Sequence, residues 1–422
     1  MLLTSEKVKR YIGDKKVLLK VLSSSFLHLP VSMAISLITF RVIEPYFMGI
    51  WATMTVFETY AGILRMGVIN GMNRELPHSM GAGRTEEAIT YAQTAFSYNL
   101  FTIVVLWLII PFLVTNFELN NTYLLCIAVN LVRVSLSFYT TYLSGTFRTT
   151  DNFNKFSNIQ YAMIAFHLLL SPMIIFLKFE GYLMMQLLLA LVNSFLLHKY
   201  RPLHIKPKFN YKIFIKLSKI GVPLFLSSYA IGFIDTIPRL FIIKYGDETL
   251  LGLFSPVILV VTTFSMLPNT LGMYYYPKLS YKLGKEGQPK NLLNPMMKIF
   301  LISALFLLPL AFIGFFLADT LSVIFPKYKE SIPYLKIAFF VAPFSISKLG
   351  GVISVVLKKF SYLAFYVISY AAFQIVSLLV IYHFITKDIL KVSVLSILAT
   401  YFLLFVVSII LNIKLVSKKE NI

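Results

Sequence analysis

PMMKIFLISALFLLPLAFIGFFL (residues 295–317) carries one charged side chain, Lys298, close to one end. At about 1.5 Å of rise per residue, a helix of this length crosses a hydrocarbon core of about 30 Å. A surface helix of a soluble protein would need a polar face, and this run has none. Comparable runs lie upstream at 21–41, 46–70, 92–115, 121–146, 157–178, 181–198, 220–243 and 249–273, and downstream at 331–357, 361–385 and 390–413. The polar stretches between them are short. The pattern predicts an all-α integral membrane protein of about twelve transmembrane helices, with no soluble domain left to place.

Composition agrees with this reading. Of the 422 residues 58% are hydrophobic and only 14% charged, where a soluble protein has about a quarter charged; mean hydropathy is +0.77. The lone cysteine, Cys126, lies inside an apolar run, so neither a disulfide framework nor a cysteine-based metal site is available within one chain. The beginning, MLLTSEKVKRYIGDKK, is basic and polar, and no small-residue cleavage site follows the first apolar run, so that run is expected to stay as a helix.

A formal charge of +21 could suggest nucleic acid, but the positions of the bases point to orientation instead. With the amino terminus in the cytoplasm, the inner segments are 1–20, 71–91, 147–156, 199–219, 274–294, 358–360 and 414–422, and they hold most of the Lys and Arg. The outer turns are short and carry few bases: Glu44; Glu118; Lys178 and Glu180; Lys244, Asp247 and Glu248; Asp319, Lys327, Lys329 and Glu330; Lys387 and Asp388. The positive-inside rule then places both termini in the cytoplasm. HKYRPLHIKPKFNYKIFIKLSK (198–219) is basic, Pro-containing and central, and reads as a cytoplasmic linker (199–219) between six-helix bundles at 1–198 and 220–422.

The halves look alike. A shift of about 200 residues lays FRVIEPYFMGIWATMTVF (40–57) on IKYGDETLLGLFSPVILV (243–260), with Gly49 on Gly252 and Arg41 on Lys244. Nearly the same shift lays NRELPHSMGAGRTEEA (73–88) on YYYPKLSYKLGKEGQPKN (274–291), where Pro77, Ser79, Gly81 and Gly83 meet Pro277, Ser280, Gly284 and Gly287 with small gaps. Both copies run from outside to inside, so the repeat is parallel. Parallel six-helix halves are a usual transporter architecture, with the substrate cavity expected between them near the midplane.

These features resemble the polysaccharide and lipid-linked oligosaccharide exporters of the MOP exporter superfamily, which include the Wzx-type O-antigen flippases. The similarity rests on the twelve-helix layout, the Gly49-Ile-Trp and Gly252-Leu-Phe turns, the loops at 77–83 and 277–287, and Asp235 ahead of Lys244-Tyr245-Gly246. It implies a MATE-like, V-shaped fold of two pseudo-symmetric bundles that work by alternating access. The implied activity is export of an undecaprenyl-diphosphate-linked oligosaccharide from the cytoplasmic to the outer leaflet of a bacterial inner membrane. Coupling to H+ or Na+ is expected, with no cofactor or metal. The partners implied are the lipid-linked substrate, membrane lipids and other polysaccharide-assembly proteins, and no nucleic acid. Relatives that export lipid II are usually longer by a helix pair, for which this chain has no room.

Ionisable groups deep in a membrane cost a few kcal/mol, about 2.5–3.5 on insertion scales, so those retained usually face a cavity or a partner. The acids are Glu58 and Asp235, the candidate ion-coupling groups; the bases are Arg65, Arg133, Arg239 and Lys348, the candidate substrate-binding groups. Glu58 and Arg133 each fall about 18 Å from the outer boundary. On a continuous helix Asp235 and Arg239 share a face and could pair, although Pro238 between them could bend it. Arg133 and Lys348 stand on corresponding helices of the repeat, where cations lining a wet cavity would lower the barrier for a diphosphate. Structural pairing with Glu58 or Asp235 is the competing reading. For Asp235 and Glu58 the alternatives are an insertable ion pair or a proton or cation site.

Most aromatic rings are expected to form interfacial belts, Tyr274, Tyr275 and Tyr276 among them. His28 and His167 are expected to be hydrogen-bonded side chains within the membrane. Pro30, Pro223, Pro238, Pro256, Pro268 and Pro343 mark places where helices bend. A multidrug or cation antiporter of the same superfamily is the alternative function, but it suits cationic substrates and the bases here outnumber the acids. An integral-membrane polysaccharide polymerase or acyltransferase fits less well. The outer loops are short, and no metal-ligand cluster, glycine-rich phosphate loop or nucleophile elbow appears.

Overall fold

The computed structural model describes residues 20, 23, 24, 27, 28, 30–114, 120–286, 288–357 and 359–417. The amino-terminal inner segment up to residue 19, Glu118 of an outer turn, and the end of the carboxy-terminal segment lie outside the described residues, as do the side chains of Tyr274, Tyr275 and Tyr276. Among the described residues the chain is helical and has no strand. The helices are α1 (Pro30–Val42), α2 (Pro45–Ala61), α3 (Val68–Gly81), α4 (Thr85–Val114), α5 (Asn121–Thr149), α6 (Phe153–Leu170), α7 (Pro172–Lys199) and α8 (Tyr211–Ile234). They continue with α9 (Ile237–Tyr245), α10 (Glu248–Leu253), α11 (Ser255–Glu286), α12 (Leu293–Ile324), α13 (Ile332–Phe339), α14 (Val352–Val356), α15 (Phe360–Val380) and α16 (Ile389–Ser417).

Among the described residues seven helices are long and apolar enough to cross a bilayer alone, and up to nine spans result if each of two bent pairs is one span. The other expected spans, 21–41, 46–70 and 157–178, correspond to α1, α2 and α6, which are shorter or begin on polar residues. Large apolar side chains project outward along the long helices, including Leu108 on α4, Phe316 and Val323 on α12 and Ile368 on α15. Such faces are stable with acyl chains as solvent. Asn120, Asp247 and Asp388 each accept a backbone N–H three residues on, at 2.9, 2.8 and 3.0 Å, and so cap helices at ends expected to be external.

The chain forms two compact units. The first comprises the residues up to Val42 with Phe57–Tyr229, and the second Ile43–Val56 with Ala230 onward. In the first unit, α3 buries Val68, Ile69, Met72 and Leu76 against Tyr91 and Ala95 of α4, Tyr142 and Phe147 of α5, and Leu217 of α8. The inner segment 71–91, expected as a polar loop, is therefore helical except for the turn around Gly83. Its polar residues occupy one side of an amphipathic helix whose apolar side is core. The span expected as 46–70 is broken where Met66 and Gly67 take φ +42° and +69°. Beyond the break, Gly67 packs on Gly221 and Gly71 on the backbone of Leu217, positions where a Cβ would strike main chain. The outer turn expected at 178–180 is a kink inside α7, with φ +50° at Lys178.

In the second unit, Met296, Ile299 and Phe300 of α12 pack with Ile346, Leu349 and Ile353 and with Leu415 and Val416 of α16. The span expected as one helix over 331–357 is two pieces, Pro326–Phe339 and Ala342–Val356, bent by 55°. Pro343 lacks the N–H that would continue the first piece, and the residues around it take the tighter 3-10 winding. The span expected as 220–243 also breaks, at Asp235 and Thr236, and Pro238 begins α9.

Candidate functional site

Each unit holds one acid–base centre built from the ionisable residues singled out in the sequence. In the first unit Glu58, on the last turn of α2, accepts a hydrogen bond from Nη2 of Arg133, midway along α5. The same guanidinium nitrogen lies 3.0 Å from Oδ1 of Asn130, one turn back on α5. The two charged side chains are 28% and 19% exposed, so the pair is largely withdrawn from solvent and lipid. The equal depths expected for Glu58 and Arg133 are met by this bond. Arg65 lies beyond the end of α2, its guanidinium carbon 4.4 Å from the centre of the Phe138 ring and its Nη2 3.4 Å from the Ser137 hydroxyl.

The second unit places its acid differently. Asp235 sits in the break between α8 and α9; one carboxylate oxygen takes Nζ of Lys348 at 2.9 Å and the other the hydroxyl of Tyr370 on α15. Lys348 also stands 5.4 Å from the centre of the Tyr401 ring on α16. A carboxylate with a cation on one oxygen and a hydroxyl donor on the other is well compensated for leaving water. Arg239, four residues after Asp235 and on the far side of the helix break, makes no direct ion pair with it; its Nη1 donates to Oγ1 of Thr55 at 3.3 Å. Asp235, Lys348, Arg239, Tyr370 and Tyr401 share the lining of a cavity of about 40 Å³, room for a few waters at most.

The structure thus joins Glu58 to Arg133 and Asp235 to Lys348, and leaves Arg65 and Arg239 outside those two pairs. The centres are not strict copies of each other. Arg133 and Lys348 stand on helices expected to correspond in the repeat, but the acid comes from α2 in one case and from the break between α8 and α9 in the other. Tyr370, Tyr401, Asn130 and Thr55 were not singled out from sequence. A tyrosine or asparagine within an apolar run carries no sign of which neighbour it faces.

No protein-family model matches the chain, and no curated protein matches it in sequence. Solved structures do match in shape. An inward-facing multidrug resistance MATE family transporter of the MOP superfamily aligns over 94% of this chain and 98% of its own, with TM-score 0.77 and 14% identity. An outward-facing structure of a multidrug resistance MATE family transporter aligns over 96% of each chain, with TM-score 0.67 and 14% identity. A MOP superfamily transporter from Pyrococcus furiosus, described as having a binding pocket of reversed polarity that suggests a different function, aligns over 96% of each chain with TM-score 0.68 and 15% identity. What this chain shares with these transporters, at that level of identity, is the all-helical MATE fold.

Proposed function

We propose that the protein is a membrane transporter that moves an undecaprenyl-diphosphate-linked oligosaccharide from the cytoplasmic to the outer leaflet of a bacterial inner membrane, by alternating access, with both termini in the cytoplasm. The observation that carries this reading is charge. Among the intramembrane residues singled out, each unit has two bases and one acid: Arg65 and Arg133 with Glu58, and Arg239 and Lys348 with Asp235. Each acid is already met by one base. The surplus positive charge suits an anionic passenger such as a diphosphate, and fixed guanidinium and ammonium groups lower its electrostatic barrier within the membrane. Asp235 and Glu58 are proposed as the groups that exchange a proton or cation as the passenger moves.

A multidrug or cation antiporter is the second reading, favoured by the likeness in fold to MATE transporters. Against it, both membrane carboxylates already hold fixed cations that an organic cation would have to displace. The deciding experiment is disruption of the gene followed by analysis of lipid-linked sugars. Accumulation of undecaprenyl-linked units on the cytoplasmic side is the expected result. Normal surface glycan together with raised sensitivity to cationic drugs would replace this reading with the antiporter.

A further inference from the structure

The first unit contains a second feature that the charge argument does not use. An open cleft of about 320 Å³ is lined by single faces of three helices together with His28, which precedes α1. On α5 the wall is Arg133, Leu136, Ser137 and Thr140, and on α7 it is Gln186, Leu189, Ala190 and Asn193; both sets follow the i, i+3, i+4, i+7 spacing of one helical stripe. His167 closes the α6 side, its ring 6.2 Å from that of His28, and Nδ1 of His28 lies 3.0 Å from the Ser32 hydroxyl. The volume falls in the range of small-molecule sites, about 300–1,000 Å³, whereas the cavity in the second unit is 40 Å³.

The chemistry of the wall selects among ligands. It has no carboxylate and no Phe, Tyr or Trp, so it is poorly made for an aromatic cation. Its one permanent charge, Arg133, is bonded to Glu58 and stands at one end, so most of the wall is neutral. What remains is two amides, two hydroxyls and two imidazoles, groups that both donate and accept, set against the apolar Leu136, Met163, Leu189 and Ala190. Oδ1 of Asn193 is buried without a hydrogen-bond partner among the described residues. Groups that both donate and accept suit a ligand that presents hydroxyls. Alternating hydroxyls and C–H faces are the surface of a sugar ring.

We infer that this chamber, walled by Gln186, Asn193, Ser137, Thr140, His28 and His167, is a saccharide subsite that holds a sugar of the passenger by its hydroxyls. The inference rests on the reading of the protein as an exporter of a glycan-bearing lipid, and adds which part of the molecule reads the glycan.

The test uses the purified full-length protein and saturation-transfer NMR with methyl glycosides of glucose, galactose, N-acetylglucosamine and rhamnose. At least one glycoside should receive saturation from the wild type. Its signal should fall by about fivefold or more in the double substitution Gln186→Leu with Asn193→Leu, since a site built for hydroxyls loses most when its polar partners go. Ala190→Trp, which fills the chamber and leaves its polar groups in place, should have the same effect, with correct folding of both variants checked by size-exclusion chromatography. A signal from none of the glycosides, or one that survives both variants, overturns the subsite. Binding of bare undecaprenyl diphosphate to the same wild-type protein in nanodiscs tests the exporter reading separately. If that lipid fails to bind while a glycoside does, the exporter reading falls and the saccharide site stands.

Discussion

Gly49 and Gly252 each press against the helix that carries the other, four residues upstream of their partner: a Cβ on Gly49 would run into the carbonyl of Glu248, and a Cβ on Gly252 into the carbonyl of Pro45. The contact is reciprocal, as a local two-fold requires. It occurs at the two positions that the internal repeat superimposes. The same reciprocity links Gly71 and Gly221: a Cβ on Gly71 would meet the carbonyl of Leu217, and a Cβ on Gly221 the carbonyl of Gly67. Two helices whose backbones touch admit no side chain between them, and small residues at such crossings supply packing where lipid provides no hydrophobic drive.

It follows that Gly49→Ala and Gly252→Ala should each destabilise the protein by about 1–3 kcal/mol, because the collision is with main chain and not with a side chain that can swing away. Membrane abundance and the melting temperature of the purified protein are the measurements. Gly232→Ala is the control, since an added Cβ there has nothing within 4 Å. Equal stability of all three variants would show that the close crossing is not needed for the fold.

How much of this was legible in the sequence differs from one element to the next. The long spans were readable because a bilayer demands uninterrupted apolar length, which α12 and α16 supply. α3 was not, because Asn73, Arg74, Glu75, Pro77 and two glycines read as an inner loop; only the spacing of Val68, Met72 and Leu76 betrays the helix. The Glu58–Arg133 pair was foreshadowed by equal depth. The partner of Asp235 was not, since depth along an assumed straight helix says nothing once the chain breaks at Asp235 and Lys348 takes its carboxylate while Arg239 reaches Thr55. The chamber on α5 and α7 follows a helical period from Gln186 to Asn193, yet a polar stripe in a membrane helix serves a neighbouring helix as well as a ligand, and sequence alone does not separate the two.

Orientation can be checked directly. Reporter fusions at Asp247 and Lys387 should report the external side and a fusion after Lys208 the cytoplasm, because the bases cluster on the other side of the membrane from the Asp247 and Asp388 caps. A cytoplasmic signal at Asp247 would break the span order and the parallel repeat together.

The centre at Asp235 gives a prediction about charge. Asp235→Asn leaves Lys348 without its counter-ion. Breaking a fully buried pair costs about 3–5 kcal/mol, and less is expected here because the Asp235 side chain keeps 32% exposure. Abundance should fall in Asp235→Asn and recover when Lys348→Gln is added, while Asp235→Glu should retain more export than Asp235→Asn. If Asp235→Asn alone exports fully at every pH and sodium level tested, coupling through this residue is wrong and the pair serves insertion only.

Arg133 is the base least able to reach water along its own helix, and the structure gives it two roles that can be told apart. It holds Glu58, and it forms one end of the polar chamber. If the role in transport is to offer positive charge to a diphosphate, Arg133→Lys should keep part of the export, and Arg133→Ala and Arg133→Gln should lose most of it at normal protein levels. If Arg133 only compensates Glu58, Arg133→Ala should lower the amount of folded protein by leaving a carboxylate unpaired, and adding Glu58→Ala should restore abundance and export together. The measurements are membrane abundance and surface polysaccharide for the three single substitutions and the double. Asn130, which accepts from the same guanidinium nitrogen at 3.0 Å, sharpens the comparison. Asn130→Ala removes a bond that positions Arg133 without touching its charge or Glu58, so a charge role predicts a mild defect in export, and a purely structural role a small loss of abundance with export per molecule unchanged. Full rescue by the Arg133→Ala, Glu58→Ala double would end the proposal that Arg133 meets the passenger, because export would then proceed without its charge.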